Sequence, residues 1–120
     1  MIYIILTSYK FTFPLVPTPV QGLDLEVTSN QIMVSWMSPS MPNGVVNYNV
    51  TLSAVNLVNS QPPIVINQPS AVVTDTMYTV NHISVPYSSY TVMVFASTSA
   101  GNSDTVTMTV VTPEAGIFYT

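Results

Sequence analysis

The chain has no cysteine, one histidine and a single basic residue among 120. Without thiols there is no thiol catalysis, no thiolate metal site and no disulfide. The lone cation is Lys10. Binding a phosphate backbone takes several cations on one face, so no nucleic acid partner is expected. The same shortage excludes electrostatic docking to anionic lipid. Charged residues make up 5% of the chain, against an ordinary share of about 25%. The five carboxylates are spread along the length, so a net charge of −4 makes no acidic patch. Long apolar runs are missing as well. Hydrophobic residues reach 48%, but they are dispersed. A spanning helix needs about 20 in succession, so no direct membrane insertion by this domain is expected. Solubility is left to Ser, Thr, Asn and Gln.

Catalytic groupings are equally scarce. His82 has no carboxylate or thiolate near it in sequence, and one imidazole does not make a metal site. It reads as a surface residue at the end of a strand. Asp75-Thr76 and Asp104-Thr105 are followed by Met77 and Val106, not by the glycine that paired aspartates of a protease require. They read as turn residues opening strands. The serines and threonines lack a histidine base in a triad pattern. Gly44 and Gly101 are isolated turn glycines, not a phosphate cradle. No cofactor, no metal and no enzymatic activity are expected.

Alternation is what the chain does have. Ile32, Val34 and Trp36 share one parity, as do Val46, Tyr48, Val50 and Leu52. Tyr90, Val92, Val94 and Ala96 do the same, and so do Leu23, Leu25 and Val27 near the start. Val106, Met108 and Val110 alternate with threonines near the end, and Tyr78 and Val80 alternate between them. Period two with one apolar face is the pattern of a half-buried strand. Turn clusters separate the runs, notably Ser38–Gly44 and the stretch around Ala100-Gly101-Asn102. Between Ala54 and Thr74 the prolines 62, 63 and 69 confine any strand to an edge, and Ile64-Val65-Ile66 is the expected one. About seven short strands with turns between them predict an all-β, antiparallel sandwich.

At this point the chain resembles a fibronectin type III domain. The pieces that carry the resemblance stand in the family's order. They are the proline-flanked start, Ile32-Met33-Val34-Ser35-Trp36, the Pro39…Pro42-Asn43-Gly44 loop, Tyr48-Asn49-Val50, and Pro86…Tyr90-Thr91-Val92-Met93-Val94-Phe95-Ala96. Ser99-Ala100-Gly101-Asn102-Ser103 follows as a loop, and Thr112-Pro113-Glu114 as an exit. The loop style is similar to tandem repeats of receptor-type tyrosine phosphatases and adhesion receptors. The resemblance implies an immunoglobulin-like sandwich with Trp36, Tyr48 and Tyr90 in its core. It also implies a tyrosine corner, in which the Tyr90 hydroxyl bonds a backbone group near residues 83–86. Two departures stand out. Gly44-Val45-Val46-Asn47-Tyr48 is one residue shorter than the family pattern. Ser84 also stands where the family has a leucine, and a one-residue insertion that lets Ile83 fill the leucine's pocket is expected.

The domain is expected over residues 17–114, between an irregular N-terminal extension (1–16) and a C-terminal linker (115–120). Met1–Leu6 reads as the ragged start of a fragment of a longer product, with a degraded signal peptide as the alternative. The expected role is a non-catalytic extracellular spacer and protein-interaction module of a tandem-repeat receptor or adhesion protein. It would be monomeric, or flanked by neighbouring repeats, with partner contacts at Asn43-Gly44 or Gly101-Asn102. Asn49-Val50-Thr51 is an N-glycosylation acceptor pattern with Asn49 on the outer parity. The alternative role is an accessory carbohydrate-contacting domain of a secreted enzyme, with Tyr87 and Phe95 as stacking surfaces.

Overall fold

The computed structural model describes residues 15–58 and 61–114. Lys10, the Met1–Leu6 run and the expected linker at 115–120 lie outside the described residues. Eight strands run in chain order: β1 (Gln21–Val27), β2 (Gln31–Met37), β3 (Asn47–Asn56), β4 (Ser70–Val73), β5 (Met77–Asn81), β6 (Ser88–Thr98), β7 (Gly101–Asn102) and β8 (Val106–Val111). They form two antiparallel sheets. One is three-stranded, in the order β1-β2-β5. The other is five-stranded: β4, β3 and β6 lie side by side, and β7 and β8 both pair with β6.

The inner faces supply the core. Ile32, Val34 and Trp36 of β2 and Leu25 of β1 meet Tyr48, Val50 and Leu52 of β3 and Tyr90, Val92, Val94 and Ala96 of β6. Removing such side chains from water contributes about 25 cal/mol per Å² of apolar surface, which makes this seam the main source of stability. Val106, Met108 and Val110 of β8 are half-buried on the same side. β3 and β6 run in continuous register from Asn47↔Ser97 to Asn56↔Ser88, so the two longest strands fix the sandwich.

Two expectations fail here. The edge strand is Ser70–Val73, not Ile64–Ile66. Pro69 has no N–H to offer but accepts one from Leu52, and the next four residues pair with Tyr48–Thr51. With the edge of β3 taken, 64–66 runs as coil and drops Ile66 into the core while Val65 faces out. Nor does Ile83 fill a pocket: it is 77% exposed. The His82 N–H bonds the Asn30 carbonyl in the β2–β5 register, but the Ser84 N–H bonds the Ser29 carbonyl, one residue out of it, so one extra residue enters past β5 without turning Ile83 inward. Exposure still alternates there, with Val80, His82 and Ser84 inward and Ile83 outward. The Ser84 Oγ, standing where a leucine was expected, is buried and finds no partner among the described residues.

Candidate functional site

The two ends of the sandwich differ in chemistry. At one end the loop between β5 and β6 folds over the Tyr90 ring, which is almost wholly buried. The Val85 N–H donates to Tyr90 Oη at 3.0 Å, and His82 Nε2 lies 2.7 Å from the same oxygen. The hydroxyl has one proton, and its bond from Val85 uses a lone pair. The oxygen keeps a second lone pair, so the imidazole tautomer sets which of the two groups donates in the 2.7 Å bond. His82 is thus not a free surface residue, as its position in the sequence suggested. It is half-buried, with its ring edge-on to Tyr90 at 5.5 Å. Burial pushes its pKa down. Burial pushes the Tyr90 hydroxyl up, and the Val85 N–H draws it partly back.

Hydroxyls complete this end. Thr112 Oγ1 donates to the Val85 carbonyl at 2.7 Å and accepts the Ser88 N–H at 3.0 Å. Ser88 Oγ donates to the Pro86 carbonyl. Tyr87 takes a left-handed backbone, φ 52°, which is unusual for a bulky residue. Its N–H donates to the Pro113 carbonyl, its carbonyl accepts from Leu57, and its hydroxyl donates to Glu114. The Glu114 bond and burial together raise the Tyr87 pKa. The chain leaves the sandwich here. The buried serine and threonine had no signal in the sequence beyond standing next to the Pro86…Tyr90 motif and the Thr112-Pro113 exit.

The opposite end carries the loops that sequence reading proposed for partners. Beneath them the Trp36 and Tyr48 rings meet edge to face, with centroids 5.3 Å apart. The Tyr48 hydroxyl reaches Ser38 Oγ at 3.2 Å, while the buried Trp36 Nε1 has no partner among the described residues. Above the rings, Asn43 (φ 57°) and Gly44 turn the β2–β3 loop, and both are exposed with Met41 and Val45. The leading segment straps this loop: the Thr18 N–H bonds the Met41 carbonyl, and Asn43 Nδ2 bonds the Val16 carbonyl. Gly101 sits beneath Val16 at φ 139°, where an added Cβ would come within 2.9 Å of the valine Cγ1. Asn102 is exposed beside it and accepts a bond from Ser97 Oγ. The chain therefore enters at the end that holds Asn43, Gly44, Gly101 and Asn102.

No grouping of three His, Cys, Asp or Glu occurs among the described residues. Asp75 and Asp104 are exposed and head β5 and β8 at separate places. Among the described residues no helix is long and apolar enough to cross a membrane.

The family model for the fibronectin type III domain matches residues 18–112. The chain belongs to the fibronectin type III family. Solved structures share the fold. Domains d3–d4 of the rat CD45 extracellular region align with a TM-score of 0.63 at 16% identity, over 82% of this chain and 51% of that one. The twitchin kinase region of C. elegans aligns at 0.62 and 18% identity, over 88% of this chain and 18% of that one. The fibronectin type III domain of human collagen XX aligns at 0.57 and 21% identity, over 85% and 97%. The chain thus spans about half of the CD45 fragment and a smaller part of the twitchin region. Among curated proteins no sequence matches significantly. Fibronectin type III domains are generally non-catalytic modules of larger proteins, and this one ties its exit segment to the β5–β6 loop through Thr112.

Proposed function

We propose that this domain is a non-catalytic extracellular module, a spacer and protein-interaction unit in a tandem-repeat receptor or adhesion protein. One observation carries the reading: the chain enters beside Met41 and Asn43 and leaves beside Tyr87, at opposite ends of the sandwich. Domains joined at opposite ends stack in series, so each adds length to the array. The exposed turns at Asn43-Gly44 and Gly101-Asn102 lie side by side on a rigid base, the usual place for recognition by a sandwich. The likeness to an extracellular region of CD45 supports the location. A monomer with protein partners, and no nucleic acid partner, fits a surface with so few charges.

The carbohydrate-contacting alternative loses its platform. Tyr87 lies at the exit end, whereas Phe95 lies mid-sheet and half-buried. Eight residues of nearly extended chain separate them by roughly 25 Å, at about 3.3 Å per residue.

An antibody raised against the folded domain tests the proposal. It should label intact source cells without permeabilisation, and it should detect a chain much longer than this one on a denaturing gel. Purified domain should show no turnover in hydrolase, phosphatase or transferase assays. Labelling only after permeabilisation overturns the location, and turnover abolished by one substitution in the domain overturns the non-catalytic role.

A further inference from the structure

The outer face of the five-stranded sheet is uncharged. β3 presents Asn47, Asn49, Thr51, Ser53 and Val55 there, and the outward residues of β4, β6 and β8 include no Asp, Glu, Lys or Arg. Its margin is β4, a short edge strand whose Val72 is 66% exposed. An uncharged face ending in an apolar edge invites pairing with another chain, and proteins guard such edges.

Asn49 stands beside that edge. Its register partners are Val72 on β4 and Phe95 on β6. Directly opposed residues lie about 5 Å apart at Cβ, so the three side chains are in one row. Asn49, Thr51, Ser70, Val72 and Phe95 line a trough of about 340 Å³ on this face. Among the described residues no side-chain hydrogen bond holds the Asn49 amide or the Thr51 hydroxyl. Val50 between them is buried, which fixes both neighbours outward. No other asparagine in the chain heads an Asn-x-Ser/Thr triplet.

We infer that Asn49 carries an N-linked glycan whose first sugar lies in the Val72–Phe95 trough, its C–H face against the Phe95 ring. In the transfer, the Asn49 Nδ2–C1 bond forms as the bond from C1 to a lipid-diphosphate oxygen breaks. Nδ2 gives up one proton, the lipid diphosphate leaves with the electron pair, and nothing is oxidised or reduced. The acceptor pattern requires the Thr51 hydroxyl. The glycan hydrates the uncharged face, and its bulk stands next to β4, where another strand would have to approach. The inference rests on the extracellular reading, because the donor is met on the secretory route.

The test directs the full chain through the endoplasmic reticulum of a eukaryotic cell with an added secretion signal. This isolates the site from the question of native location. The secreted protein should run as one band that shifts down by a single glycan on treatment with peptide N-glycosidase. Asn49→Gln and Thr51→Ala should abolish the shift. Folded, secreted protein with no shift overturns the site, whatever antibody labelling of source cells shows. For the trough, the glycan is trimmed to its first sugar and compared with Asn49→Gln in denaturant. The trimmed protein should have the higher midpoint, and the gap should close when Phe95 is replaced by Ala, or by Leu if the alanine variant is not secreted. An equal gap with and without the aromatic ring overturns the placement of the sugar.

Discussion

At the exit end, Tyr90 of β6 and Thr112 beyond β8 hydrogen-bond the Val85 backbone of the β5–β6 loop, with His82 against Tyr90 and Ser88 against Thr112. At the other end, the Trp36 and Tyr48 rings form an apolar plug beneath the loops, and Asn43, Gly44 and Asn102 stand above it in solvent. Both ends are stable, but they leave different freedom to the sequence. A loop bonded through its own backbone tolerates few changes. A loop resting on a plug can vary while the plug persists. The proposed partner contacts therefore lie at the Asn43 and Asn102 end, where the loops have the freedom to vary.

The largest effect should come from removing the plug. Trp36→Ala should cost about 3–5 kcal/mol, the usual loss when a buried ring is truncated and the cavity stays open. That is a large part of the ~5–15 kcal/mol that a domain has. Urea melts with an unchanged slope would show it as a fall in midpoint. A loss below about 1 kcal/mol would mean that the rings do not carry this end.

Tyr90→Phe probes the other end with almost no change of volume. It strips the partner from the Val85 N–H and from His82 Nε2, so it should cost about 1–3 kcal/mol. The same substitution at Tyr48 should cost less, since that hydroxyl bonds only the exposed Ser38. If the two phenylalanine variants were equally stable, the contrast between a bonded end and a packed end would be gone.

Acid should weaken one end selectively. Burial lowers the His82 pKa, so the folded state favours the neutral ring, which lies against the Tyr90 hydroxyl. The stability this gives is fully present above the ordinary histidine pKa of about 6.5, and it is lost as pH falls through the depressed folded value. The Tyr90 hydroxyl has the opposite limit. Its raised pKa contributes below about 10 and is lost as pH rises through the folded value. Denaturant midpoints measured from about pH 5 to about pH 8 should therefore rise with pH in the native protein and flatten in His82→Gln. An unchanged acid slope in the variant would place the titrating group elsewhere.

Strand alternation was legible because period two is a local property. Ile32-Val34-Trp36 and Tyr90-Val92-Val94-Ala96 declare their inner faces without reference to anything distant. The edge strand was not legible for the opposite reason. Ile64–Ile66 and Ser70–Val73 are both short, mostly apolar runs without a polar alternation, and which one pairs is decided by the free edge of β3. Ile83 misled because a size match to a missing leucine was preferred over the parity that Val80 had already set. His82 is the instructive omission. Extending that same parity by two residues turns it inward, toward a tyrosine hydroxyl with one proton to place. The candidate loops were readable from Asn-Gly and Ala-Gly-Asn turn chemistry, but the strap of residues 16–18 across them was not, since it depends on contacts more than twenty residues apart.

The smallest effects should fall on the exposed loops, and they bear most directly on function. Asn43→Gly keeps a left-handed backbone accessible and loses one exposed bond to the Val16 carbonyl. Asn102→Ala loses one exposed bond from Ser97. Each should change stability by no more than about 0.5 kcal/mol, as surface substitutions away from special features do. Gly101→Ala, one residue away, should cost more, because its φ of 139° and the 2.9 Å approach to Val16 leave no room for a methyl group. The three together separate a loop built for its shape from residues free to meet a partner. Should Asn43→Gly or Asn102→Ala cost more than about 1 kcal/mol, the asparagines would be structural. Recognition would then have to be sought on another surface.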